Sequence, residues 1–205
     1  MATTTIDTET ELSAVNSILG AIGQSPQTTL NYTNPEVGFI YNLLRDCNVD
    51  VQSEGCHFNT ENHVKYSPDS VTKKIAIANN VLKLDVTNGW KDYAKNVVRR
   101  NGVLYDKVDH TDEFTSDIDL DVVILYPFED IPWQFQRYII VKASGRAATQ
   151  LVNNPQLVQL LAAQELQARA NCLEYECNQG NPSYLGIPEK SVYQTYQPYH
   201  TLRRT

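Results

Sequence analysis

The helical stripes of this chain lie at its two ends, and strand-like alternation fills the space between. Glu11–Gly23 reads ELSAVNSILGAIG, and Asn154–Gly180 reads NPQLVQLLAAQELQARANCLEYECNQG. Apolar residues recur in both at helical spacing. A helical stripe is stable only when another element covers it. The expected fold class is therefore α+β: a bundle of N- and C-terminal helices, an inserted antiparallel β region and an extended C-terminal tail. The expected boundaries are 8–55 for the N-terminal helices, 56–130 for the β region, 131–180 for the C-terminal helices and 181–205 for the tail.

Thr8 and Glu11 have capping-box spacing before the first helix, whose apolar stripe is Leu12, Val15, Leu19 and Ile22. Gly23 is the expected C′ residue. Asn34-Pro35-Glu36 supplies N-cap, N1 proline and first-turn acid for a second helix. Its apolar positions are Val37, Ile40, Tyr41, Leu44, Cys47 and Val51, and Gly55 closes it. Pro132 opens a third helix with the line Phe135, Ile139, Ala143, Ala147 and Leu151, weakened locally by Gly145. Asn154-Pro155 opens a fourth. Leu160, Ala163, Leu166, Ala170, Leu173 and Cys177 form its seam, suited to packing on another helix. If that seam is core, Leu166→Asp costs several kcal/mol.

In the middle, Val81–Val86 alternates and is followed by a turn signal at Asn88-Gly89. Asn101-Gly102, with apolar residues on both sides, predicts a hairpin. Asp117–Phe128 is the longest strand candidate. Its first half alternates and its second half is continuously apolar, so it reads as running from solvent into a core.

Hydrophobic residues make up 41% of the 205, and no apolar run reaches the length of a membrane span. The opening MATTTIDTETELS has neither the basic nor the apolar part of a secretory signal. Cys47, Cys56, Cys172 and Cys177 are too few and too scattered for a disulfide framework, which fits synthesis in a reducing cytoplasm. The net charge of −7 is unevenly placed. Residues 1–60 hold seven acids and one base, whereas residues 131–205 hold four acids and seven bases. A protein this acidic is a poor nucleic-acid binder, but it suits a passage along which DNA slides without sticking.

The acids Asp106, Asp109, Asp112, Glu113, Asp117, Asp119 and Asp121 are the best candidate for chemistry. Asp117, Asp119 and Asp121 have the spacing of a calcium loop, but Val122 stands where such a loop needs glycine. A period of two places them on one face of a strand, most simply a solvated face. A glycosidase carboxylate pair within the run, or including Glu129 and Asp130, is the alternative. Aromatic sugar platforms would support it, yet Trp90 and Trp133 both fall outside the run. His57, His63, His110 and His200 lie far apart, and none has zinc-ligand spacing. Cys172 and Cys177 fall on different faces of a helix. The chain has no nucleophile elbow, P-loop or dinucleotide fingerprint. Arg99-Arg100 and Lys73-Lys74 read as solvated turns.

The tail is rich in tyrosine and proline. Prolines at 182, 188 and 198 keep it extended, and tyrosines bring large contact area at low entropic cost. Tyr184, Ile187, Tyr193, Tyr196, Tyr199 and Leu202 are the expected anchors on a neighbouring subunit or other partner, with Arg203 and Arg204 as rim contacts.

Several segments go further in combination. ELSAVNSILGAIGQSP closely resembles the opening of the tail tubular protein A family of short-tailed phages (podoviruses of the autographivirus type), also called gatekeepers or head-to-tail adaptors. SEGCHFN, at Ser53–Asn59, resembles the family's segment after its second helix. VLYDKVDHTDEF and the strand after it are similar in order and spacing. FQRYIIVKASGRA and CLEYE resemble the later helices. The resemblance runs in order over residues 9–178 and leaves out the tail. It implies a ring of about twelve copies between the portal protein and the tail nozzle protein, tail tubular protein B. The tail fibre is a further candidate partner. The implied role is tail attachment and retention of the genome, with DNA passing through the lumen and no cofactor, metal, catalytic residue or membrane involved. The implied location is the virion tail, reached through the host cytoplasm during assembly. A carboxylate-dependent, glycan-degrading tail enzyme is the competing reading.

Overall fold

The computed structural model describes residues 10–87, 95–152 and 154–180. The chain divides into two units, Met1–Glu54 with Tyr126–Glu176, and Gly55–Leu125 with Cys177–Thr205. The first is helical and the second is built on β strands. The fold is α+β, with four α-helices and antiparallel sheets among the described residues.

In the helical unit, α1 spans Glu11–Ala21. Its N-cap is Thr10, whose hydroxyl accepts the Ser13 N–H at 3.3 Å. The helix thus starts two residues later than a cap at Thr8 requires, and Thr8 itself lies outside the described residues. The buried face is Ala14, Val15, Ile18 and Leu19, while Leu12 and Ile22 sit half-buried at its edge. At the C-terminus Gly23 takes φ +80°, the left-handed region that glycine enters without a Cβ clash. Gly23 N–H then reaches Gly20 O at 3.1 Å and Gln24 N–H reaches Leu19 O at 2.8 Å, a complete Schellman cap.

Helix α2 spans Pro35–Gln52, with Asn34 Oδ1 accepting the Glu36 N–H at 3.1 Å. It buries Val37, Ile40, Leu43, Leu44, Cys47 and Val51. Tyr41, expected in that stripe, is half-buried and donates its hydroxyl to Glu11 Oε2 at 3.1 Å. Helix α3 spans Trp133–Ala147 behind Pro132 and buries Phe135, Tyr138, Ile139, Ile140, Ala143 and Ala147. A π-helical turn, Ala148–Val152, follows it. The wider turn changes the angular step after Ala147. Leu151, expected on the α3 line, is therefore 46% exposed.

Two amides hold the neck of the inserted segment. Gln52 is fully buried, donates to Tyr126 O at 2.9 Å and accepts the Tyr126 N–H at 2.8 Å. Asn59, equally buried, accepts the Cys56 N–H at 2.7 Å and donates to Ile124 O at 3.2 Å. Buried amides satisfied this way stabilise; losing one strands main-chain groups.

In the β unit, β1 (Thr60–Tyr66), β2 (Val81–Val86) and β5 (Ile118–Ile124) form a three-stranded antiparallel sheet with β5 in the centre. Val64 faces Leu120 and Leu84 faces Val122. Strand β2 pairs with β5, and its turn signal Asn88-Gly89 lies outside the described residues. Strand β5 is shorter than the Asp117–Phe128 run: Leu125 N–H goes to Asn80 O at 2.7 Å, and Tyr126 is taken by Gln52. The hairpin β3 (Val97–Arg100) and β4 (Val103–Asp106) is closed by Asn101 and Gly102 at φ +51° and +79°, the two left-handed residues of a type I′ turn. The core of this unit gathers Ile75, Leu104, Phe114, Ile118, Leu120 and Val122.

Candidate functional site

Helix α4 spans Pro155–Gly180 and is the longest element described. Asn154 Oδ1 accepts the N–H groups of Gln156 and Leu157 at 3.0 and 3.4 Å, so the helix starts where its sequence predicts. Its inward face is narrow. Leu161 and Cys172 are buried, the Cys172 thiol donates to Gln134 O at 3.3 Å, and Tyr175 meets Phe135 edge-on with ring centroids 6.1 Å apart. Burial pushes the Cys172 thiol up to about 12, with Glu176 and Glu54 adding to it.

The seam expected to be core lies elsewhere. Leu160, Leu166 and Leu173 are 58%, 76% and 57% exposed, and Ala163, Ala170 and Cys177 are exposed with them. At about 100° per residue, Leu166 and Leu173 point about 100–140° away from Leu161 and Cys172. The expectation that this seam is buried within the chain is therefore corrected. The helix carries two apolar faces, and α3 meets one of them at Cys172 and Tyr175. Exposed leucines at helical spacing are what a helix offers to another body. Cys172 and Cys177 do fall on opposite sides, one buried and one exposed.

The acidic run is used locally. Asp112 pairs with Lys74 at 2.5 Å, and that hydrogen bond holds its carboxyl below the usual range while raising Lys74. Asp117 pairs with Lys65 at 2.7 Å and is lowered in the same way, with Ser67 helping. Asp106 is buried, and its Oδ1 accepts the Val108 N–H at 2.8 Å in the turn after β4. Asp109, Glu113 and Asp119 are exposed. Asp121 Oδ1 accepts the Thr87 hydroxyl at 2.6 Å and the His63 N–H at 2.9 Å. Asp85, which the run did not include, faces Asp121 directly across β2 and β5 and accepts the Val86 N–H at 2.8 Å. Only the strand register reveals that pair. Val122, at the position where a calcium loop turns, is a core residue of β5. Among the described residues, no three or more His, Cys, Asp or Glu are grouped to hold a metal ion. Glu129 and Asp130 form a 3-10 turn and belong to the helical unit, whereas the run belongs to the β unit.

Of the basic pairs, Arg100 stacks on Tyr105 at 4.1 Å, Arg99 bonds to Asn79, and Lys74 is held by Asp112. Trp133 is half exposed beneath Arg137, whose guanidinium lies 6.0 Å from the ring centre. The expected partner-binding residues Tyr184, Ile187, Tyr193, Tyr196, Tyr199, Leu202, Arg203 and Arg204 lie outside the described residues, as do Trp90 and His200.

The chain is an α+β protein whose longest described helix turns a leucine face outward. Comparison with known proteins gives that class a family. A family model described as tail tubular protein matches residues 12–182. Tail tubular protein A of Klebsiella phage KP34 is 32% identical over 123 residues, which are 60% of this chain and 62% of that protein. The chain thus matches less than two thirds of that relative's length. It belongs to the tail tubular protein family.

Proposed function

We propose that this protein is a head-to-tail adaptor. About twelve copies form a ring, the geometry that head-to-tail contacts between identical subunits close into. One side of the ring seats on the portal protein and the other receives the nozzle protein, tail tubular protein B, with the tail fibre a further partner. The segments 8–55 and 131–180 form the assembly body, 56–130 is its insert, and 181–205 tethers it to the portal or to a neighbour through Tyr184, Ile187, Tyr193, Tyr196, Tyr199 and Leu202. Genome DNA passes through the lumen, where a net charge of −7 keeps it from sticking. Subunits assemble in the host cytoplasm and end in the virion tail.

The observation that carries this reading is the outward leucine face of α4, in a chain whose family builds phage tails. Left in water, three leucines and two alanines at helical spacing favour association. Sedimentation velocity of the purified protein, alone and with purified portal protein, tests it. The parent is expected in a ring-sized species, and Leu166→Asp is expected to remain a folded monomer. A parent that stays monomeric beside portal protein, or a Leu166→Asp variant that assembles equally well, would falsify the proposal.

A further inference from the structure

A second exposed feature of the helical unit differs in chemistry from the leucine face. A groove of about 320 Å³ runs between α3 and α4, lined by Trp133, Arg137 and Val141 on one wall and Gln164, Gln167 and Asn171 on the other. The Arg137 guanidinium lies over the Trp133 indole, 6.0 Å from the ring centre. Gln167 donates to Asn171 Oδ1 at 3.1 Å, which uses one of its two amide hydrogens and one acceptor site of Asn171. The groove therefore combines an aromatic-cationic floor with a row of amides that both donate and accept.

Such a surface suits an extended chain better than a helix. A helix satisfies its own main chain and asks its partner for apolar holes, which the leucine face of α4 supplies. An extended, proline-interrupted segment brings unpaired main-chain N–H and C=O groups, which glutamine and asparagine side chains can meet. Its rings can stack on the indole and guanidinium. Aromatic-lined grooves recognise proline-rich segments in this way.

We propose that this groove receives the segment 181–205 of a neighbouring copy, with Tyr193 or Tyr196 stacked on Trp133 and Arg137. The proposal rests on the adaptor reading and names the seat of its tether. The chain beyond α4 is 25 residues long and begins at the end of the helix that forms one wall. From Asn171 to Gly180 the helix runs about 14 Å, and 25 extended residues reach about 80 Å. That reach exceeds the width of a small domain, so a neighbour's groove is accessible from each helix end. Donor and acceptor surfaces differ, so the contact is heterologous, the type that propagates around a ring.

The test uses the full chain. A photo-crosslinking amino acid is placed at Tyr193 or Tyr196, and ¹⁴N and ¹⁵N proteins are mixed before assembly. The parent is first scored for ring formation by sedimentation; a parent that forms no ring overturns this proposal together with the adaptor reading. In rings assembled on purified portal protein, crosslinks are expected between ¹⁴N and ¹⁵N copies, mapping to residues 133–141 and 164–171. Trp133→Ala should lower their yield at least fivefold, and Gln167→Ala should lower it less. Both positions are exposed, so near-ultraviolet circular dichroism is expected to show folded variants. Rings that form while crosslinks fall on the portal protein, stay within one isotope, or ignore both substitutions overturn this proposal and leave the adaptor reading standing.

Discussion

Helices α3 and α4 follow one another in the chain and spend their apolar residues differently. In its fifteen residues α3 buries Phe135, Tyr138, Ile139, Ile140, Ala143 and Ala147, and even Gln136 and Ser144 go inside. In its twenty-six, α4 buries Leu161 and Cys172 and leaves Leu160, Leu166 and Leu173 in the open. Both helices show apolar residues at helical spacing. Periodicity thus reveals that a helix has a face to cover but not whether its own chain covers it. On α4 the second apolar face stays exposed within the chain.

Four substitutions or titrations can break or sharpen that contrast. The largest effect is expected at the α3 core, where Ile139→Ala should cost about 3 kcal/mol by urea unfolding. A loss below about 1 kcal/mol would mean α3 is not the buried member of the pair. Next, Leu161→Ala on the inward face of α4 should cost about 2 kcal/mol, smaller because Leu161 is 5% exposed and Ile139 not at all. The third test is alkaline. Burial raises the thiols of Cys47 to about 11 and Cys172 to about 12, while the ordinary value is 9.0. The fold therefore favours the neutral thiols. Their contribution is complete below about pH 9 and is lost as pH rises towards the folded values. Iodoacetamide at pH 8 should label Cys177 quickly and Cys172 slowly; equal rates would show that the inward face of α4 is open. The smallest effect belongs to Leu166→Asp, within about 0.5 kcal/mol for the unassembled subunit. Should it unfold the free subunit as readily as Leu161→Ala does, the outward face is covered after all.

Local chemistry was the legible part of the fold. Asn34-Pro35, Asn101-Gly102, Pro132 and Asn154-Pro155 each mark a boundary that the structure keeps, because caps and turns depend on neighbouring residues only. The same reasoning failed at Thr8, where Thr10 offered an equivalent hydroxyl two residues closer to the helix. It had no sign of β1, whose TENHVKY lacks apolar alternation because the register shifts between Glu61 and Val64 and breaks the period of two. Pairing of β2 with β5, and hence Asp85 with Asp121, depends on contacts distant in sequence. On α4 the seam Leu160–Cys177 is apolar at helical spacing, but Leu160, Leu166 and Leu173 are exposed where burial was expected. Its direction was not legible, since Leu161 and Leu160 differ by one position and opposite environments.

Gln52 has a consequence for how this chain can change. Its two bonds to Tyr126 hold the departing and returning ends of the insert side by side, as two adjacent strand residues would be held. A closed doorway of that kind is nearly indifferent to what is threaded through it. Lengthening the insert twofold adds only about 0.6 kcal/mol of closure entropy. The helical unit can therefore keep its packing while the segment from Gly55 to Leu125 is shortened, extended or exchanged, provided that one glutamine still bridges the gap.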